Sequence, residues 1–272
     1  MCEFCTRHGE GKKWYENAVN YSAELFFRVN SPENLRSFLE NFRQSLGQGV
    51  RLASRLKRRL PWIYNLLVYP RVSCHLQKTH FGQVVPLEDV ERILEKMSSI
   101  VRLPCVCRRV TTGEKKRYCF GIGLDLTSVY RAVPDFSEFE RWPVERAREF
   151  IRRLDGEGKI HSVWTFNTPF IGALCNCDRD CMAYRSQHTL GIARTMWKAE
   201  YLARIDPLLC TGCNRCLSRC CFDAIVFDRG KGRCVIEMRA CFGCGVCRPV
   251  CQHGAIRLVP RESVPAAVAG GW

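Results

Sequence analysis

Long apolar segments are missing from this sequence of 272 residues. No stretch reaches the roughly 18 consecutive apolar residues of a transmembrane helix, and the longest apolar run, 60–69, contains Pro61 and Asn65. Residues 1–30 also lack a basic segment followed by an apolar one, so we expect no export signal. Together these absences predict a cytoplasmic protein without a membrane span.

Acidic and catalytic side chains are also scarce. The chain has 27 acidic residues against 42 basic ones, and only 6 histidines. No pair of acid and base side chains stands out as a catalytic pair, so the catalytic residues stay unassigned. The formal net charge of +15 favours acidic partners over basic ones.

Cysteine, in contrast, is abundant. The chain has 19 cysteines, an odd number, and most of them stand in tight pairs and triplets. Tight spacing, an odd count and the lack of an export signal indicate metal ligands in a reducing compartment rather than a disulfide framework.

The strongest motif is a cysteine repeat near the C-terminus. The run Cys210-x₂-Cys213-x₂-Cys216-x₃-Cys220 returns 31 residues later as Cys241-x₂-Cys244-x₂-Cys247-x₃-Cys251. Three closely spaced thiolates reach three corners of one [4Fe–4S] cube, and the fourth cysteine of each run ligates the other cluster. The spacing therefore predicts two clusters: Cys210, Cys213, Cys216 and Cys251 for the first, and Cys241, Cys244, Cys247 and Cys220 for the second.

Residues 203–260 resemble the bacterial ferredoxins with two [4Fe–4S] clusters. The departures are Cys221 and Gln252, which stand where that family usually has proline. The apolar segments beside the cysteines, around Ile205, Ile225 and Ile256, are expected to form short strands. The whole chain is loosely similar to multi-cluster ferredoxin-like proteins of anaerobes, which implies redox work.

The pattern over the whole chain predicts an α+β fold in five parts. These are a helical N-terminal region (1–85), a small cysteine-rich α/β module (86–182), a linker (183–202), the ferredoxin-like domain (203–260) and a flexible tail (261–272). Ser31, Pro86 and Pro143 mark helix starts. Glycines at 47 and 49 are expected to interrupt the first long helix.

The middle module holds six further cysteines. They are Cys105, Cys107, Cys119, Cys175, Cys177 and Cys181. Residues two apart on a strand share a face and residues four apart make one helical turn, so each Cys-x-Cys pair is expected to present both thiols together. We predict a third [4Fe–4S] cluster with four ligands from this pool; unligated core cysteines are the alternative.

A fourth group of side chains forms a candidate N-terminal site, namely Cys2, Cys5, His8 and His80. Two residues separate Cys2 from Cys5, and two more separate Cys5 from His8. Cys74 or His75 is the alternative to His80 as the fourth ligand. Thr6 follows Cys5, so this is not a c-type haem attachment motif. The candidate ligands of this site are iron, zinc and a non-covalently bound haem. The alternative is that the cysteines at this terminus are incidental and bind nothing.

Charge suggests which partners the protein has. Each [4Fe–4S]²⁺ core with four thiolates carries −2, so three of them would lower the net charge to about +9. We expect an acidic redox protein or oxidoreductase as partner. Peripheral membrane contact through residues 51–69 is an alternative, nucleic acid is not favoured, and the sequence leaves the oligomeric state open.

Three functions fit these features. The first is electron transfer by two ferredoxin-type clusters and a third cluster. The second is a reductase, or a reductase subunit, whose middle or N-terminal cofactor is the catalytic centre. The third is a redox-sensing regulator, which would bind nucleic acid in a salt-dependent manner.

Overall fold

The computed structural model describes residues 13–264. Its α-helices are Ala23–Val29 (α1), Pro32–Arg59 (α2), Pro61–Ile63 (α3), Tyr69–Thr79 (α4), Leu87–Glu95 (α5), Val106–Thr112 (α6), Thr127–Ala132 (α7), Val144–Gly156 (α8), Met182–Tyr184 (α9) and Arg215–Arg219 (α10). Tyr64–Val68 and Arg185–Thr189 are π-helical, and short 3₁₀ turns span Trp14–Glu16, Ala18–Tyr21, Pro134–Phe136 and Arg261–Ser263.

The strands complete an α+β fold, as predicted. They are Gly82–Val84 (β1), Ile100–Leu103 (β2), Cys119–Ile122 (β3), Glu140–Arg141 (β4), Ile160–Thr165 (β5), Ile171–Cys177 (β6), Met196–Trp197 (β7), Tyr201–Ile205 (β8), Ile225–Asp228 (β9), Arg233–Ile236 (β10) and Ile256–Pro260 (β11).

Seven of these strands form one sheet, in the order β4-β2-β3-β6-β5-β1-β7. Every pairing is antiparallel except that of β1 with β7. Successive side chains of a strand face opposite sides: Val163 joins the core under α5 and α8, whereas Trp164 joins the core on the other side. The sheet therefore has two buried faces, and the second one carries the cysteines.

The predicted helix starts are confirmed, but one predicted break is wrong. The hydroxyl of Ser31 accepts a hydrogen bond from the amide of Asn34 and caps α2, and α5 and α8 follow Pro86 and Pro143. Helix α2 continues through residues 47 and 49. A glycine inside a helix costs only about 1 kcal/mol, and the burial of Leu35 and Leu39 in the first half of α2 helps to offset that cost.

The cysteine pairs of the middle module differ in local structure. Cys175 and Cys177 lie on β6 and share a face, as expected. Strand β2 ends at Leu103, however, and Cys105 is the N-cap of α6, so Cys107 lies in the first helical turn. Cys181 precedes α9 and is not one helical turn beyond Cys177.

Segments that we expected to connect domains are part of the folded core. Residues 183–202 contain the second π-helical stretch and β7, which pairs with β1. Strand β1 itself comes from the predicted N-terminal helical region. Arg261, which we placed in the tail, is buried, and its guanidinium donates hydrogen bonds to the carbonyls of Ala199, Tyr201 and Cys241.

The ferredoxin-like region consists of two strand pairs around the repeated cysteine loops. Strand β8 pairs with β11, with Ile205 opposite Ile256, and β9 pairs with β10. The strands predicted there are thus confirmed. Gly212 and Gly243 occupy equivalent positions in the two loops and have φ angles of +70° and +67°. These angles favour glycine and let each loop turn back on itself.

Candidate iron–sulfur sites

The first set of ligands predicted in the C-terminal repeat lies around a single small cavity. Its wall includes Cys210, Cys213, Cys216 and Cys251. Cys251 comes from the second repeat and reaches this wall just before β11, which pairs with β8. The fold therefore brings together the four residues that a crossed ligand pattern requires.

A fifth cysteine in the same wall was not in the prediction. Cys234 of β10 lines the cavity; burial and a hydrogen bond with Cys234 raise the pKa of Cys216 to about 12. The Cys234 thiol also donates to the side-chain oxygen of Asn214, at 3.3 Å. Cys234 lies outside the repeated spacing, so no sequence motif points to it.

The second predicted set is more deeply buried. Cys220, Cys241, Cys244 and Cys247 are each at most 9% exposed. Burial raises the pKa of Cys247 to about 12, and charges on Cys241 and Cys220 act in the same direction. The four thiols are therefore close electrostatic neighbours, and Cys220 again comes from the other repeat.

Backbone amides donate hydrogen bonds to several of these sulfurs. The amide of Ala224 lies 3.3 Å from the sulfur of Cys220, and Ala255 makes the equivalent contact with Cys251 at 3.3 Å. The amide of Gly243 points at Cys241, at 3.4 Å. Such donors stabilise thiolate charge and tune the reduction potential of a bound cluster.

All six cysteines of the middle module line one chamber of about 860 Å³. The sulfurs of Cys105 and Cys119 are 3.4 Å apart. Cys119 also hydrogen-bonds with Cys175, and Cys177 with Cys181. The pool thus converges on one place from α6, β3, β6 and the loop before α9.

Arg108 supplies a buried positive charge beside these thiols. It is 2% exposed; its guanidinium donates to the sulfur of Cys181 at 3.4 Å and pairs with Asp178 at 2.8 Å. A hydrogen bond from Cys177 and the charge of Arg108 lower the pKa of Cys181. Burial raises the pKa of Cys107, and nearby thiols raise it further. A metal would have to displace the protons of most of these thiols.

The thiols of the chamber are a candidate donor set for a cluster. Within residues 13–264, no three His, Cys, Asp or Glu side chains are placed to hold one metal ion. A cube separates its four thiolates, one at each iron, and therefore needs convergent but spaced sulfurs. The six thiols that line the chamber are more than the four ligands that a cube requires.

The N-terminal candidate site is only partly described. Cys2, Cys5 and His8 lie outside the described residues. Cys74 is exposed on α4, whereas His80 lines the same chamber as the middle cysteines. The Nδ1 atom of His80 lies 2.7 Å from the carbonyl oxygen of Thr165, and burial lowers the pKa of His80 to about 4. This imidazole is therefore neutral at pH 7.

Direct contacts join the chamber wall to the second ferredoxin-like set. Arg179 donates to the carbonyl of Cys220 at 3.2 Å, and the hydroxyl of Tyr184 donates to the carbonyl of Cys221. Phe222 and Phe242 stack beside them with ring centroids 4.0 Å apart. Cys175, Cys177 and Cys181 of the middle module consequently share one packed core with the second set.

Comparison with known proteins gives one partial likeness. An 81-residue stretch is 32% identical to the indolepyruvate oxidoreductase subunit IorA of Pyrococcus horikoshii, covering 30% of this chain and 12% of that protein. The chain thus matches a small part of an oxidoreductase subunit, which is compatible with redox chemistry at these cysteines. No protein-family model matches the chain. No solved structure matches it either.

Proposed function

We propose that this protein transfers single electrons through iron–sulfur clusters. Two [4Fe–4S] clusters would occupy the C-terminal repeat, and a third would be held by four of the six chamber cysteines. The observation that carries this proposal is the convergence of both cysteine sets of the repeat, each completed by the last cysteine of the opposite run.

The order of the sites supports a path for the electron. The first set is the more exposed, since Cys213 is at the surface, and the second set is buried against the chamber wall. Electrons from an acidic redox protein in the cytoplasm would enter at the first cluster, cross to the second and continue to the third. The basic surface favours such a transient partner.

The proposal is tested by anaerobic purification of the whole chain, followed by iron and sulfide quantification. We expect about twelve irons per chain for three cubes, against about eight for the repeat alone. Electron paramagnetic resonance of the reduced protein should show magnetically interacting clusters. An iron-free protein, or one that holds zinc instead, would disprove the proposal.

A reductase is the second candidate, and the size of the chamber favours it. The chamber of about 860 Å³ falls in the range of small-molecule sites. The likeness to a subunit of an indolepyruvate oxidoreductase agrees with a chain that serves a larger oxidoreductase. In that role the third cluster would pass its electrons to a bound substrate.

A further inference from the structure

The chamber has two chemically different walls. The six thiols come from β3, β6, the start of α6 and the loop before α9, whereas the lining residues of α2 and α4 include no cysteine. A cluster needs only the thiol side, since its ligands are there. The helical side therefore encloses space that the predicted cluster does not account for.

The lining from the helical wall is mixed: apolar side chains alternate with polar ones such as Asn41, Ser45 and Thr79, and His80 follows α4. Its apolar lining residues include Phe42, Leu46 and Leu76. His80 lies among aromatic rings, with Phe166 stacked on it at 5.2 Å between centroids. Because Nδ1 of this neutral imidazole donates to the carbonyl of Thr165, Nε2 can only accept a hydrogen bond, for example from the hydroxyl of a hydroquinone. Such a lining suits a largely apolar molecule that carries polar atoms.

The exposed part of the chamber lining is mixed, because Asn41 and Ser45 of α2 are exposed as well as Leu52, and basic residues lie on the same helix. Leu52 lines the chamber and is also 70% exposed, which places it at the opening. Trp62 and Leu66 nearby are 69% and 65% exposed. Arg55 and Arg58 are exposed on the same stretch. Exposed tryptophan and leucine beside arginines are typical of segments that lie on an anionic lipid surface.

We propose that the chamber binds a lipid-soluble acceptor of the quinone class, taken up from an anionic membrane surface. This inference rests on the proposed electron-transfer function. Two reduced [4Fe–4S] clusters held by the cysteines of the chain would each supply one electron and return to the oxidised state. One quinone takes both electrons and two protons from water and leaves as the hydroquinone.

Position 49 allows a direct test. Gly49 lines the chamber and is exposed, and a Cβ built there meets no atom within 4 Å, so Gly49→Trp places a bulky side chain at the opening without a clash at Cβ. Gln48→Trp is the matched control, because Gln48 is exposed on the same helix and is not part of the lining. The probe is 2-methyl-1,4-naphthoquinone, added to the anaerobic, cluster-loaded full chain.

Two readouts separate the possible failures. Equilibrium dialysis should show saturable quinone binding, roughly tenfold or more weaker in Gly49→Trp and unchanged in Gln48→Trp. Reoxidation of the reduced clusters by quinone should slow in parallel. If iron is present and reducible but wild-type protein binds no quinone, or if both variants behave alike at wild-type iron content, this inference is wrong while electron transfer stands. If no clusters form, both proposals fail.

Discussion

Neighbouring cysteines in this chain have different surroundings. The sulfur of Cys220 accepts a hydrogen bond from the amide of Ala224 and lies among the thiols of Cys244 and Cys247. Cys221 contributes its carbonyl to Tyr184, and burial raises the pKa of its thiol. Only Cys220 is therefore expected to be a cluster ligand.

This difference makes Cys221 a matched control for its neighbour. Cys220→Ser should remove a thiolate from the second cluster, so that the iron content falls by up to about four per chain. Cys221→Ser should keep the full complement, because only a buried thiol is lost. Iron quantification under anaerobic conditions measures both. Iron loss in Cys221→Ser, with none in Cys220→Ser, would show that the ligand assignment is wrong.

The sequence predicts the repeat cysteines because their spacing itself encodes the cube. The sequence does not predict that Arg108 is buried, because nothing in the sequence distinguishes this arginine from the many other basic residues. Arg108 pairs with Asp178, which lies just beyond β6 and far from α6 in sequence. The sequence also does not predict that His80 lies in the chamber, because this position depends on contacts between segments that are distant in sequence.

At the level of elements, the two cysteine loops depend on left-handed glycines. The loop with Gly243 turns so that its amide reaches the sulfur of Cys241. A Cβ at this position would overlap the carbonyl oxygen of Tyr201 in β8. A Cβ at Gly212 would likewise overlap the carbonyl oxygen of Gly232. Each loop is thus held close to a backbone segment that cannot move away easily.

Gly243→Ala should therefore damage the second cluster site. We expect a loss of more than about 2 kcal/mol in the free energy of unfolding, since the φ of +67° and the overlap both oppose a side chain. Gly230→Ala is the control, because the nearest atom to its Cβ is Asp228 Oδ1 at 3.4 Å. Denaturant unfolding with iron quantification checks both variants. Equal stability of the two would contradict the role given to Gly243.

Local signals were enough to predict some of the elements but not their assembly. Caps and apolar periodicity mark α2, α5 and α8, and repeated apolar pairs mark the short strands of the repeat. Strand β7 is only two residues long, and its parallel pairing with β1 joins segments far apart in sequence. Such long-range pairing leaves no periodic pattern, which is why residues 183–202 resembled a linker.

At the scale of the whole molecule, the modules expected from sequence share one core. Trp164 of the large sheet, Cys181 of the chamber and Phe222 of the ferredoxin-like region belong to the same buried cluster. No helix among residues 13–264 combines the length and apolarity required to cross a bilayer. The surface proposed above to contact lipid carries the exposed residues Trp62, Leu66, Arg55 and Arg58.

The double variant Trp62→Ser/Leu66→Ser tests that contact. Burying a large apolar side chain contributes about 1.5–3 kcal/mol, and each basic residue near an anionic surface adds about 1 kcal/mol. Wild-type protein should sediment with phosphatidylglycerol vesicles at low salt and far less with phosphatidylcholine vesicles. The double variant should lose roughly tenfold or more of this binding.

Leu208→Ser provides the control, because Leu208 is 92% exposed but lies in the ferredoxin-like region, away from the mouth. It should bind vesicles as the wild type does. Higher salt should weaken wild-type binding, because the arginine contribution is screened within about 10 Å at 0.1 M. Binding that is equal for both lipids, or that Leu208→Ser reduces as much as the double variant does, would rule out this face as a membrane contact. The quinone would then have to reach the chamber from water.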